Sequence, residues 1–118
     1  MLVLAVALML VAAQERSNAA IGADVLPRQS AYKQCLADRT VEIGAGNSES
    51  AETVLRAAAA ACRPAETALR ALYTEIPLGA AWAERLMARD RKLGEDDGVA
   101  RLLAARAVQL RSGPAIRE

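Results

Sequence analysis

Histidine is absent from the 118 residues of this chain, and so is phenylalanine. Without histidine the chain lacks the commonest general base and the commonest side-chain ligand for metals. The two cysteines alone cannot form the usual zinc sets. None of the serines lies in a Gly-x-Ser-x-Gly turn, and none has a histidine to activate it. We therefore expect no catalytic residue, no cofactor-binding residue and no metal site, and the chain is predicted not to be an enzyme.

Aromatic side chains and net charge are also scarce. The chain has one tryptophan and two tyrosines, and its net charge is +1. A charge this small gives no reason to expect a nucleic-acid partner. Apolar residues make up 53% of the chain, but alanine is the commonest of them and buries little area. The length fits a single domain with a modest core, which a disulfide would help to stabilise.

Short acidic and glycine-rich segments do not form recognisable ligand motifs. Glu95-Asp96-Asp97 lacks the spacing of a calcium-binding loop, and Gly44-Ala45-Gly46 lacks the rest of a phosphate-binding fingerprint. Almost all of the fifteen basic residues are arginines, and they do not form a stripe on one helix face. We interpret the charged residues as solvated helix surface.

The first thirteen residues, MLVLAVALMLVAA, are apolar and uncharged. This segment is too short to span a bilayer comfortably. Val11-Ala12-Ala13 is a small-residue cleavage pattern, so residues 1–13 are predicted to be a signal peptide that is cut after Ala13. No Lys or Arg precedes the apolar run, so either the N-terminal amine suffices or the start codon lies upstream. The alternatives are a buried N-terminal helix in a cytosolic protein and an uncleaved anchor.

An apolar seam organises the middle of the chain, between Ala51 and Ile76. Its members recur in alternating steps of four and three, which predicts one buried stripe on an α-helix. They are Ala51, Leu55, Ala58, Cys62, Ala65, Leu69, Leu72 and Ile76. The candidate N-caps are Asn47, Ser48 and Ser50, and Pro77 ends the segment. Pro64 conflicts with a continuous helix, and we favour a kinked continuous helix over a second helix that starts at Pro64.

The remaining segments complete a prediction of an all-α fold. Residues 14–27 are predicted to be a flexible leader, and residues 28–41 a helix whose inward face we expect to be Ala31, Tyr32, Cys35 and Leu36. The domain boundaries are 28–112 for the helical domain and 113–118 for a disordered tail. The predicted fold is therefore a small helical bundle or hairpin of three to four helices, which follows an N-terminal signal helix and carries one disulfide.

Two further helices are predicted after the Pro77-Leu78-Gly79 break, at residues 80–93 and 99–111, with Gly94 to Gly98 as a cap or loop between them. The alternative is one long helix over residues 80–111. We expect an inward face that carries Trp82, Leu86, Leu93, Val99, Leu102, Leu103, Ala107 and Leu110, with Met87 beside it. Trp82 is interpreted as a core anchor, and the alternative is a contact with a partner or a membrane surface.

Cys35 and Cys62 are the only cysteines, and both lie on predicted apolar helix faces. In an exported small protein an even pair is most simply one disulfide. The rival hypotheses are a buried reduced pair and a redox-active pair. The second lacks a Cys-x-x-Cys motif and a thioredoxin-like strand pattern.

The segment from Ala31 to Leu72, with Tyr32-x-x-Cys35 and Ala58-x-x-x-Cys62, resembles small exported bacterial helical proteins that are uncharacterised. The resemblance implies a disulfide-linked helical pair and an envelope location. Together with the predicted signal peptide, we expect a periplasmic or secreted protein with no stable membrane span after signal cleavage. It brings no activity. We therefore expect a non-enzymatic protein-binding or structural module of the bacterial envelope, whose partner is an unknown protein or a second copy in a homodimer. The alternatives are a periplasmic chaperone or stress protein and, remotely, an enzyme of unidentified class.

Overall fold

The computed structural model describes the backbone of residues 2–116 and the side chains of residues 19–112. The helices are α1 (Leu2–Gly44), α2 (Ala51–Ala61), α3 (Arg63–Glu75) and α4 (Ala80–Ile116). The described residues contain no strand, which confirms the all-α class.

The helices form an up-down-up bundle. The pair α2–α3 runs back along α1, and α4 then runs parallel to α1. The parallel register is visible where Gly94 lies against Lys33 and Gly98 lies against Ala37. Because α1 contacts every other helix, it is the element on which the bundle is assembled.

The first helix is longer than its predicted span. Residues 14–27, for which a flexible leader is predicted, have a helical backbone, and the helix continues beyond Val41 to Gly44. Pro27 lies inside α1 and has no N–H for the carbonyl of Ala23. The lost hydrogen bond is offset by packing of the same part of α1, because Val25 packs against the core. Cleavage after Ala13 stays a prediction, since a helical backbone does not test it.

The central seam is confirmed, but its helix is divided. Every seam residue is buried or half-buried, while Val54 and Tyr73 join them in the interior. Cys62 ends α2 and precedes α3, and Pro64 lies in the first turn of α3. A proline is tolerated there because the first N–H groups of a helix have no intrahelical acceptor. The favoured continuous helix is therefore wrong, and the alternative of a second helix is correct to within one residue.

The last helix, α4, is continuous, as the alternative prediction had it. Gly94 and Gly98 are buried inside it and face α1. A Cβ atom placed on Gly98 would lie 2.9 Å from Thr40 Oγ1 and 3.1 Å from the Cα of Ala37. The glycines thus allow the two backbones to approach closely, which is why this segment is neither a cap nor a loop. The helix also passes the predicted limit at Ser112 and ends at Ile116, so the predicted tail is helical as far as it is described; residues 117–118 lie outside the described residues.

The interior differs from the predicted faces in two helices. Its main cluster consists of Tyr32, Leu36, Cys62, Leu69, Tyr73, Ala83 and Met87. In α1 the prediction holds for Tyr32 and Leu36, whereas Ala31 is exposed and Ala37 and Thr40 are buried. In α4 the inward face is Ala83, Met87, Asp90, Gly94, Gly98 and Leu102. Trp82 is 48% exposed, so its assignment as a core anchor is wrong.

Arg106 holds the α1–α2 connection against α4. Its guanidinium donates to the carbonyl of Gly44 at 3.0 and 3.2 Å and to the carbonyl of Glu49 at 2.7 Å. The first carbonyl belongs to the C-terminus of α1, where backbone acceptors lack helical partners and carry partial negative charge. One side chain therefore fixes both ends of the connection.

We expect Arg106→Ala to lower the free energy of unfolding by about 1–2 kcal/mol, because the part-buried carbonyl of Gly44 and the exposed carbonyl of Glu49 lose a charged donor. Amide hydrogen exchange should quicken in residues 45–50. The matched control is Arg101→Ala on the same helix, which removes only half-exposed ion pairs with Asp38 and Asp97 and should cost less than about 1 kcal/mol. Equal effects of the two variants would contradict the assignment.

Candidate interaction surface

The two sulfurs are bonded. Cys35 and Cys62 form a disulfide with an S–S distance of 2.07 Å and a Cα–Cα distance of 5.9 Å. The bond ties the middle of α1 to the junction between α2 and α3. The predicted pairing of the two cysteines is confirmed. The bond also anchors to α1 the break between α2 and α3, which lies beside Pro64.

A polar network that the sequence did not reveal lies in the interior between α1, α3 and α4. Asp90 is fully buried, and its Oδ2 accepts a hydrogen bond from the hydroxyl of Tyr73. Gln29 Nε2 donates to the same hydroxyl, and Arg89 donates to Asp90 Oδ1 at 3.2 and 3.3 Å. A buried carboxylate is tolerated when it is hydrogen-bonded and paired in this way. The network fixes three helices relative to one another.

The sequence spacing around Asp90 is sufficient to predict that it lies on the inward face of α4. Ala83, Met87, Asp90 and Gly94 are separated by steps of four, three and four, which is the spacing of one helix face. Trp82 and Leu93 were instead predicted to face inward, because their side chains are large and apolar. A charged residue between small ones is a weak signal, because such a residue is exposed in most helices.

The hydroxyl of Tyr73 makes stability depend on pH in alkali. Burial, reinforced by the bond to Asp90, raises the pKa of Tyr73 from its ordinary value of 10.0 to about 12. Because the pKa of Tyr73 is higher in the folded protein than in the unfolded chain, its protonated hydroxyl favours the folded state. This contribution to stability is complete below pH 10 and is lost as the pH rises towards 12. Burial raises the pKa of Tyr32 as well, so both tyrosines act in the same direction.

We expect the free energy of unfolding in urea to fall by about 1.4 kcal/mol between pH 9 and pH 11 through Tyr73 alone. The chain has only two lysines, Lys33 and Lys92, so few other side chains titrate there. Tyr73→Phe should be less stable at neutral pH, because Asp90 loses a donor, and its stability should fall less steeply above pH 10. An equal alkaline slope in both proteins would contradict this assignment.

Opposite charges alternate on the flank where α2 and α3 face α4. Glu66 pairs with Arg70 at 2.9 Å and with Arg91 at 3.6 Å, and Arg91 also donates to the hydroxyl of Tyr32. A groove of about 490 Å³ on this flank bears three arginines and three glutamates: Arg56, Arg63, Arg91, Glu52, Glu66 and Glu95. The charges balance and several are paired, so the groove offers no concentrated charge to a ligand.

A second stripe of apolar residues runs along α4 on the opposite flank. We call it the outer stripe. Seven of its nine positions are apolar, and the other two are charged. All nine follow alternating steps of four and three: Trp82, Leu86, Arg89, Leu93, Asp96, Ala100, Leu103, Ala107 and Leu110. From Trp82 to Leu93 each outer position directly precedes an inward one, which separates the two stripes by about 100° around the helix.

The outer stripe is open to solvent. Leu93 is 49% exposed, Leu103 is 57% exposed and Leu110 is 77% exposed, and only Leu86 and Ala107 are half-buried. The guanidinium of Arg85 lies 6.0 Å from the ring centroid of Trp82, which leaves much of the indole uncovered. These leucines were predicted to face inward; the structure places them on the surface.

An alternating four–three spacing is the pattern by which one helix packs along another. Isolated surface leucines need no explanation, but a tryptophan and four leucines on one regularly spaced helix face are more than isolated exposure accounts for. The outer stripe therefore has the pattern of a helix-binding surface. It is the strongest candidate functional site in the described part of the chain.

The described residues contain no group of three or more His, Cys, Asp or Glu side chains arranged to hold a metal ion. Among the same residues, no helix is sufficiently long and apolar to traverse a lipid bilayer. No protein-family model, curated protein or solved structure matches the chain.

Proposed function

We propose that the chain is an exported, non-enzymatic helical module that binds another protein in the bacterial envelope through the outer stripe of α4. The observation that carries this proposal is the regular outer stripe from Trp82 to Leu110, in which seven of the nine positions are exposed. The disulfide supports the exported location, because such bonds persist mainly in oxidising compartments.

The rest of the molecule suits a rigid scaffold for that surface. The inward face of α4 is fixed by the glycine contact with α1 and by the network around Asp90. The outer face of the same helix is thus held in place, while seven of its nine positions stay exposed to solvent. A preorganised surface loses little conformational entropy when a partner binds.

The proposal is tested by photo-cross-linking in the native host. A photoreactive residue at Leu103, on the outer stripe, should give a discrete protein adduct, which mass spectrometry then identifies. The matched control is Ala88, an exposed residue of α4 that lies off the stripe and should give none. Absence of an adduct at Leu103, or equal labelling at both sites, would contradict the proposal.

A periplasmic chaperone or stress protein is a second candidate, favoured by the exposed apolar residues that lie off the stripe. These are Leu26 at 73%, Leu78 at 55% and Val108 at 58%. Such a protein should suppress light scattering by an acid- or heat-stressed client at stoichiometric amounts. Unchanged client aggregation would remove this candidate and leave the first intact.

A further inference from the structure

The outer stripe contains two charged positions of opposite sign, placed almost symmetrically about Leu93. Arg89 lies four residues before Leu93 and Asp96 lies three residues after it. The side chain of Arg89 is more than half exposed although it forms an ion pair with Asp90. Asp96 is also exposed, and it forms an ion pair with Lys92. A stripe with this arrangement is complementary to itself when the second stripe runs in the opposite direction.

We propose that the outer stripe binds the same stripe of a second copy, with the two α4 helices antiparallel about a two-fold axis beside Leu93. This inference rests on the proposed function and names the partner of that surface. The axis places Arg89 opposite the partner's Asp96, and by symmetry Asp96 opposite the partner's Arg89. The same residues thus meet twice, as a two-fold interface requires.

The apolar positions fit the same register. Trp82 lies opposite the partner's Leu103, Leu86 lies opposite the partner's Ala100, and the two Leu93 side chains meet near the axis. The exposed side chains of Trp82, Leu93 and Leu103 are thereby covered together. Large aromatic side chains with apolar neighbours are typical anchors at interfaces.

Other arrangements bring like charges together. A parallel pair places Arg89 opposite Arg89 and Asp96 opposite Asp96. Sliding the antiparallel pair by one heptad places either two arginines or two aspartates opposite each other, depending on the direction. Facing like charges disfavour these registers, as charged positions do in natural coiled coils.

Sedimentation velocity over a concentration series, on the oxidised chain as recovered from cells, tests association. The wild-type chain should form a dimer that dissociates on dilution. Leu93→Asp places two carboxylates near the axis and should give a monomer with an unchanged circular dichroism spectrum, whereas Ala88→Asp, off the stripe, should remain a dimer. Asp96→Arg should weaken association by about tenfold or more, since it faces the partner's Arg89. A wild-type monomer at every concentration would overturn the proposal.

Engineered cysteines test the direction of pairing. Leu93→Cys should cross-link to itself under mild oxidation, and Trp82→Cys should cross-link to Leu103→Cys when the two chains are mixed. Trp82→Cys alone should not form a covalent dimer, because its two copies would lie about 30 Å apart along the helix. Ready self-linkage of Trp82→Cys would indicate parallel helices and overturn the inference. If the chain is monomeric but Leu103 still cross-links to a different protein in the host, the dimer fails and the proposed function stands.

Discussion

Removal of the Cys35–Cys62 disulfide is expected to lower the free energy of unfolding by about 3–4 kcal/mol. The bond closes a segment with a sequence separation of 27 residues and so restricts the unfolded chain. The folded state also depends on it, because the α2 side of the seam is largely alanine and contributes little area per residue. Urea unfolding of Cys35→Ala/Cys62→Ala, beside the oxidised wild type, measures the loss.

The control for this prediction is the reduced wild-type chain. If the effect comes from the covalent bond, reduction with a thiol should shift the urea midpoint to nearly the value of the double variant. A double variant as stable as the oxidised protein would show that the bond is incidental to stability. The measurements need a protein concentration at which all three samples have the same oligomeric state, since dimerisation also adds stability.

Gly98→Leu is expected to destabilise the protein by about 3 kcal/mol, at the upper end of the usual cost of overpacking. Even the first carbon of a side chain would lie 2.9 Å from Thr40 Oγ1 and 3.1 Å from the backbone of Ala37. Relief requires α1 and α4 to separate, because one of the obstructing atoms belongs to the backbone. Separation would also disturb the contacts at Gly94 and the network around Asp90. Thermal or urea unfolding measures the effect.

Gly22→Leu on α1 is the matched control. Gly22 is helical and exposed, and a Cβ atom there meets nothing within 4 Å. Glycine is a poor helix former, so this substitution should raise stability by up to about 1 kcal/mol. If Gly98→Leu lowers the free energy of unfolding while Gly22→Leu raises it, helix propensity cannot explain the difference. The role of Gly98 is then to let α4 approach α1 closely. Destabilisation of equal size at both sites would contradict that conclusion.

The central seam was predictable because its signal is local. Periodicity from Ala51 to Ile76 defined the buried stripe without any knowledge of the neighbouring helices. The two cysteines lay on apolar faces, so their pairing followed. The division at Cys62 was harder to predict, because a proline in the first turn of a helix and a proline at a kink leave the same sequence pattern.

The two faces of α4 could not be assigned from the sequence alone. Both are spaced by steps of three and four, and the outer one carries the larger side chains. Burial of the smaller face follows from the approach of α1 to Gly94 and Gly98, which is a tertiary contact. Trp82 and the leucines of the outer stripe were therefore recognised as apolar and helical, but they were assigned to the wrong side of the helix.

Intact-mass analysis of the chain recovered from its native host, with alkylation before and after reduction, tests most directly the claim that this is an exported, oxidised module. The account predicts a chain that begins at Gln14 and takes up alkylating agent at Cys35 and Cys62 only after reduction. A chain that retains residues 1–13, with both cysteines alkylated before reduction, would contradict the proposed location of the protein and the source of its stability.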